Sequence, residues 1–241
     1  MNPDLTGQKV VITGITSGIG RASAELLLSR GAEVFVSARS QAKLDKALGE
    51  LDGPVSGHVL DLLDVDAIPA FFDRVGQFDH LVTPAASGMF ALIREMDFPA
   101  AREILESKQW GQLQTVHHGV RKISEKGSIT LFSGTVTQKP LPGATMFAAA
   151  GGATEAAARI WGLELAPIRV NTIAPGIIDT PVWANLMGDE AAAEAKAGFA
   201  GSLPVGRVGT AADVAKAVAF LIDNDFVNGI TLVVDGGHRL I

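Results

Sequence analysis

The sequence predicts a doubly wound α/β fold: a mostly parallel seven-stranded sheet with helices on both faces, in a single domain over residues 1–241. Three observations carry this. Short apolar runs alternate with segments of helical periodicity along the whole chain. The runs are near-continuous in Val, Ile and Leu, as expected of strands buried on both faces. Glycine is abundant, 27 residues against 11 prolines, which suits tight strand-to-helix turns rather than disorder.

The elements follow in order. "KVVIT" (9–13) is a strand, followed by the helix "IGRASAELLLSRG" with Gly31 as its stop. "EVFVSA" (33–38) is the second strand and "SQAKLDKALGEL" a polar-faced helix. "GHVLDL" (57–62), the helix "VDAIPAFFDRVG" and the strand "FDHLVTPAA" (78–86) come next. Residues 97–123 read as one long helix, then "GSITLFSG" (127–134) as a buried strand. A helix over roughly 146–165 contains "MFAAAGG", within a stretch uncharged from Pro140 to Thr154. "IRVNTIAPG" (168–176), a helix at 210–222 and "ITLVVDGG" (230–237) complete the set. Residues 179–209 look irregular and long for a connection, as lids over a site often do.

With 47% hydrophobic and 19% charged residues, the chain can build a substantial core. The net charge of −6 argues against a nucleic-acid partner, whose footprint is basic. The absence of cysteine excludes disulfides and thiolate chemistry. The five histidines show no metal-ligand spacing, and the adjacent His117 and His118 are expected to point about 100° apart on a helix. The N-terminal segment lacks signal-peptide character, and no apolar run reaches membrane-spanning length. A cytoplasmic protein with a small-molecule substrate and no membrane or nucleic-acid partner is expected.

"TGITSGIG" (13–20) joins the first strand to the first helix. Glycines there permit a tight turn and close ligand approach, and the helix N-terminus offers free N–H groups to a phosphate. The stretch resembles the TGxxxGIG signature of the short-chain dehydrogenase/reductase family, whose Rossmann-type fold binds a nicotinamide dinucleotide. The resemblance continues through "LDLLD" (60–64), "RVNTIAPGIIDTP" (169–181) and the C-terminal "VNGITLVVDGG". It implies a cofactor site built from Gly14, Thr16, Ser17, Gly18, Ile19 and Gly20 at the turn. Asp61 and Leu62 would lie at the adenine, with Ala85 beyond the fourth strand. Pro175, Gly176, Ile178 and Thr180 would lie near the nicotinamide. Arg39, in "SARS", stands where NADP-dependent members carry a basic residue, and a guanidinium there can pair with a 2′-phosphate. NADP(H) is therefore the preferred cofactor, with NAD(H) possible.

The reaction centre departs from the family. Its members use a Tyr acid/base, a Lys four residues later on the same helical face, a Ser and an Asn. This chain has no tyrosine. By alignment, Phe147 takes the Tyr position, Gly151 the Lys position, Gly134 the Ser position with Ser133 beside it, and Lys108 the Asn position. The expectation is that Lys108 fills the volume vacated at Gly151 and delivers or accepts a proton at a lowered pKa. Ser133 orients a carbonyl or bonds backbone. Gln112, one turn beyond Lys108, steadies it or touches substrate. Met89, Phe90, Met146 and Trp183 are candidates for an apolar pocket. "TEAAARIWGLELA" (154–166) presents small residues suited to pairing with a second copy, so a homodimer or homotetramer is expected. The function implied is an NADP(H)-dependent oxidoreductase for a carbonyl, quinone or activated alkene. The alternatives are a redox-inactive NADP(H)-binding sensor or partner-binding protein and, more remotely, a lyase or isomerase.

Overall fold

The computed structural model describes residues 4–85 and 88–241. Ala86, the last residue of the strand expected over 78–86, lies outside the described residues, as do residues 1–3. The chain begins β1 (Lys9–Ile12), α1 (Gly18–Leu28), β2 (Glu33–Ala38), α2 (Gln41–Gly49), β3 (Val55–Val59), α3 (Ala67–Val75) and β4 (Phe78–Val82). It continues with α4 (Phe98–Ile104), a π-helical segment (Leu105–Trp110) and α5 (Gly111–Gly119). Then come β5 (Ile123–Phe132), α6 (Thr145–Glu164), β6 (Arg169–Pro175) and β7 (Ile178–Asp179). The last elements are α7 (Val182–Met187), α8 (Asp189–Ser202), β8 (Gly209–Thr210), α9 (Ala211–Asp223) and β9 (Thr231–Val234).

The seven-stranded sheet has the order β3-β2-β1-β4-β5-β6-β9, and all its pairs are parallel. The order reverses between β1 and β4, so the chain leaves the two strands in opposite directions and opens a crevice at their carboxyl ends. Successive residues of β1 face opposite sides of the sheet. Val10 and Ile12 join a core with Leu27 of α1 and Val218 of α9. Val11 joins the other, with Phe71 and Phe72 of α3 and Val116 of α5.

Three expectations are corrected. The helix expected over 97–123 is broken by a π-helical segment at Leu105–Trp110 and ends at Gly119. β3 starts and ends earlier than 57–62, at Val55 and Val59, in register with β2. Residues 179–209 are largely helical, because "DEAAAEAKAGFA" is rich in strong helix formers and carries Asp189 and Glu190 in the first turn.

"RVN" at the start of β6 is structural. The Arg169 guanidinium donates to the carbonyls of Leu221 (2.6 Å) and Ile222 (3.0 Å), capping the C-terminus of α9. Asn171 donates to the Val227 carbonyl and accepts from the Ile230 amide, tying β6 to the approach of β9. Among the described residues no helix is long and apolar enough to cross a membrane, and no group of three or more His, Asp or Glu side chains is placed to hold a metal ion.

Candidate active site

The turn after β1 is built by close approach. Gly14 has φ +77°, and a Cβ there would lie 2.8 Å from the Cβ and 2.9 Å from the Cα of Ala85. A Cβ at Gly20 would fall on the Gly14 carbonyl. Larger residues would push β1, the turn and the 84–85 segment apart. Ser17, the N-cap of α1, makes no side-chain capping bond, so among the described residues the first-turn amides of α1 have no side-chain partner.

Thr16, Ser17, Gly18, Ile19, Arg39 and Asp61 border one continuous cleft with Gly14, Gly20, Leu62, Ala85 and Thr180. All the residues expected at the turn, the ribose and the adenine thus converge. One Asp61 carboxylate oxygen accepts from the Leu63 amide (3.1 Å), which shapes that turn. Leu62 is buried against the start of α5, where a Cβ on Gly111 would come within 2.8 Å of it. Arg39 is exposed, and ion pairs such as Arg21–Glu25 and Arg30–Asp223 leave it out. Lys43, in the first turn of α2, borders the same cleft and was not anticipated.

A second cavity of about 220 Å³ opens from this cleft, sharing Ile19, Pro84, Thr180 and Val182 with it. Pro175, Gly176 and Ile178 line this cavity together with Lys108 and Ser133. Phe90, Phe147 and Trp183 supply aromatic walls; Met89 and Met146 instead pack in a separate cluster with Ala101 and Ile104. No Asp or Glu lines the cavity among the described residues.

Lys108 sits in the π-helical segment and is only 5% exposed. Burial alone lowers its pKa to about 8, since no carboxylate lies close enough to offset the desolvation. Among the described residues its ammonium makes no hydrogen bond or ion pair. Gln112 does not line this cavity. Its amide nitrogen donates to the Lys108 carbonyl (2.7 Å), and its oxygen accepts from Thr83 Oγ1 (2.8 Å) and the Phe132 amide (3.1 Å). Gln112 therefore anchors the Lys108 backbone to β4 and β5. Among the described residues Ser133 Oγ has a single long contact, to the Ile173 carbonyl at 3.5 Å, which leaves the hydroxyl nearly uncommitted.

Phe147 packs on Phe90, ring centroids 5.2 Å apart, and its ring tip rests on the backbone of Gly88. The space at Gly151 is not vacant. A Cβ there would meet Thr137 Cγ2 at 2.9 Å and Ser133 Cβ at 3.3 Å, so Thr137, not Lys108, closes on it. His117 and His118 do not diverge as expected: their rings meet edge to face at 4.8 Å, with His117 exposed.

Sequence reasoning missed His238. It follows the carboxyl end of β9, is 7% exposed and lines the same cavity as Lys108. Its position was the available signal, because open parallel sheets bind ligands beyond the carboxyl ends of their strands. Its ring meets Phe199 of α8 edge to face at 5.9 Å, and Phe199 in turn packs on Trp183. Burial and the nearby Lys139 lower its pKa.

Residues 14–239 match the family model described as enoyl-(acyl carrier protein) reductase. A 3-oxoacyl-[acyl-carrier-protein] reductase, FabG, from Haemophilus influenzae is 32% identical over 98% of this chain and 100% of its own. The cis-4-hydroxycyclohexanecarboxylate dehydrogenase of Sinomonas cyclohexanicum is 33% identical over 96% of each chain. Among solved structures, a small-chain dehydrogenase in complex with NADPH superposes with a TM-score of 0.87 at 32% identity, covering 97% of this chain and 99% of that one.

Proposed function

The chain belongs to the short-chain dehydrogenase/reductase family, and on that premise we propose that it is an NADP(H)-dependent oxidoreductase for a small, largely apolar carbonyl, quinone or activated alkene. Proton delivery falls to Lys108, because Phe147 and Gly151 stand at the family's Tyr and Lys positions and neither carries a transferable proton. The observation that carries this reading is that buried Lys108, whose ammonium has no hydrogen-bond or ion-pair partner among the described residues, lines an apolar cavity continuous with the glycine-turn cleft.

The cleft fits a phosphorylated dinucleotide. The Gly14–Ala85 contact leaves room only for bare backbone, the α1 amides have no side-chain cap, and Arg39 and Lys43 offer two cations for a 2′-phosphate. Asp61 and Leu62 would flank the adenine, and Pro175, Gly176, Ile178 and Thr180 would hold the nicotinamide end. When bound, NADPH supplies the hydride. Lys108 holds the substrate oxygen with its ammonium and gives it a proton as negative charge develops. Water resupplies that proton. Ser133 donates a hydrogen bond to the same oxygen. The Gln112 brace fixes Lys108, and the aromatic walls exclude water so that the ammonium acts at low dielectric. Helices α7 and α8 serve as the lid, with Trp183 pinned to the Ile178 carbonyl (2.9 Å) and Lys196 paired with Asp179 (2.7 Å).

The test follows NADPH consumption by absorbance with 1,4-benzoquinone and small cyclic ketones. Lys108→Met is expected to lower turnover by about 10²-fold or more while NADPH binding persists. With the acid protonated below its pKa of about 8, the rate of reduction falls as pH rises through that value. Unchanged turnover in the variant removes Lys108 from the mechanism. Tight NADPH binding without turnover of any substrate favours the redox-inactive sensor.

A further inference from the structure

The reaction pocket contains a further titratable side chain, besides Lys108, that the proton-delivery scheme does not use. His238 lies against the lid side of the cavity through Phe199, whereas Lys108 enters from the α4–α5 segment braced to the sheet. Its Nδ1 is fully buried and has no hydrogen-bond partner among the described residues. The nearest carboxylate in sequence, Asp235, is already committed: it accepts from the amides of Gly237 (3.0 Å) and Arg239 (3.0 Å) and from the Arg239 guanidinium (3.2 Å). The backbone of His238 is fixed independently of its ring, its amide donating to the Asp235 carbonyl and its carbonyl accepting from Lys139 Nζ (2.8 Å).

A neutral imidazole carries one N–H and one lone pair. An N–H on the enclosed Nδ1 would be buried without an acceptor, the costlier arrangement, so the proton belongs on Nε2. The side chain thus presents a single donor in a cavity whose remaining walls are mostly apolar.

We propose that His238 is a substrate-positioning residue whose Nε2–H binds a second acceptor oxygen on the substrate, while Lys108 holds the reacting oxygen. The substrate class is then a compact, mostly apolar carbonyl compound with a hydrogen-bond acceptor remote from the reacting carbon. This rests on the oxidoreductase reading for the role of Lys108 and deepens it by naming what the other end of the substrate must carry. The cavity of about 220 Å³ has to accommodate the nicotinamide end as well, which restricts the substrate to a small molecule.

The two probes are cyclohexanone and cyclohexane-1,4-dione, with binding measured by calorimetry to the protein saturated with NADP⁺, where no turnover intervenes. The wild-type protein is expected to favour the dione by about tenfold, beyond the roughly twofold advantage of two equivalent carbonyls. In His238→Ala the preference falls to about that statistical twofold, because dione binding weakens several-fold more than cyclohexanone binding. His238→Gln, which keeps an N–H near the Nε2 position, restores part of the preference. An unchanged preference in His238→Ala overturns the proposal, as does an equal loss for both probes, which marks a merely structural ring. Binding of neither probe by the wild-type protein overturns it too. If both bind with the expected pattern but NADPH never reduces either, the oxidoreductase reading fails and the recognition role of His238 stands.

Discussion

A buried lysine without a counter-ion costs folding free energy, and among the described residues Lys108 has none. The cost is contained by lowering the pKa, by the cavity at its tip and by a backbone held through Gln112. The sequence itself shows only that the chain lacks tyrosine; Lys108 became a candidate through the family resemblance, which puts it at the Asn position facing the missing Tyr and Lys. Its burial was not legible, because that depends on β4 and β5 gripping Gln112 from residues 29 and 20 positions away. The same limit applies at Gly151, where only the fold reveals that Thr137 takes up the space. At the other end of the cleft, Arg39→Asp is expected to weaken NADPH binding by about 10²-fold with a much smaller effect on NADH, because it replaces attraction to a 2′-phosphate with repulsion. Fluorescence titration with the two cofactors checks this; equal losses would separate Arg39 from cofactor choice.

Among the elements, the π-helical segment at Leu105–Trp110 could not be anticipated from periodicity, since one inserted residue within a helical run leaves the apolar pattern nearly intact. It places Ser107 and Lys108 inward together, both buried. The helicity of α8 was, by contrast, present in its alanine-rich composition and obscured only by the surrounding prolines and glycines. The start of α9 carries a testable device: Thr210 Oγ1 accepts from the Asp213 amide (3.3 Å), Asp213 accepts from the Thr210 amide (2.9 Å), and Arg207 pairs with Asp213 at 2.7 Å. These bonds hold the Asp213 carboxyl far below its usual 3.8. Because the folded value is depressed, its contribution is fully present above about pH 4 and is lost as pH falls through the folded value. Thr210→Ala is expected to cost about 1 kcal/mol, a fall in Tm of about 2–4 °C by scanning calorimetry. Asp213→Asn should cost stability at pH 7 and progressively less towards strong acid; a penalty independent of pH would mean the carboxylate charge is not what stabilises the turn.

Across the whole molecule, strand identity and order-setting periodicity were readable because parallel strands buried on both faces must be continuously apolar. The registers were not: β5 begins at Ile123, well before its apolar run at 127, because pairing with β4 continues past a register shift. On the outer face of α6, Ile160 and Leu163 are 54% and 81% exposed beside Ala149 and Ala156. That stripe is the surface on which a homodimer or homotetramer is expected to form. Ile160→Glu with Leu163→Glu should convert the assembly to a monomer of unchanged circular dichroism in light scattering; a wild-type monomer would refute the expectation. The contacts of Phe147 and Gly151 also set how much change the pocket wall tolerates. A Cβ added at Gly88 would fall on the Phe147 ring tip, and one added at Gly151 would come within 2.9 Å of the Thr137 methyl. The wall is thus interlocked unevenly: any side chain at position 88 must drive the Phe147 ring out of place, whereas one at position 151 asks chiefly the Thr137 side chain to move, so position 151 is the easier of the two at which to reshape the pocket.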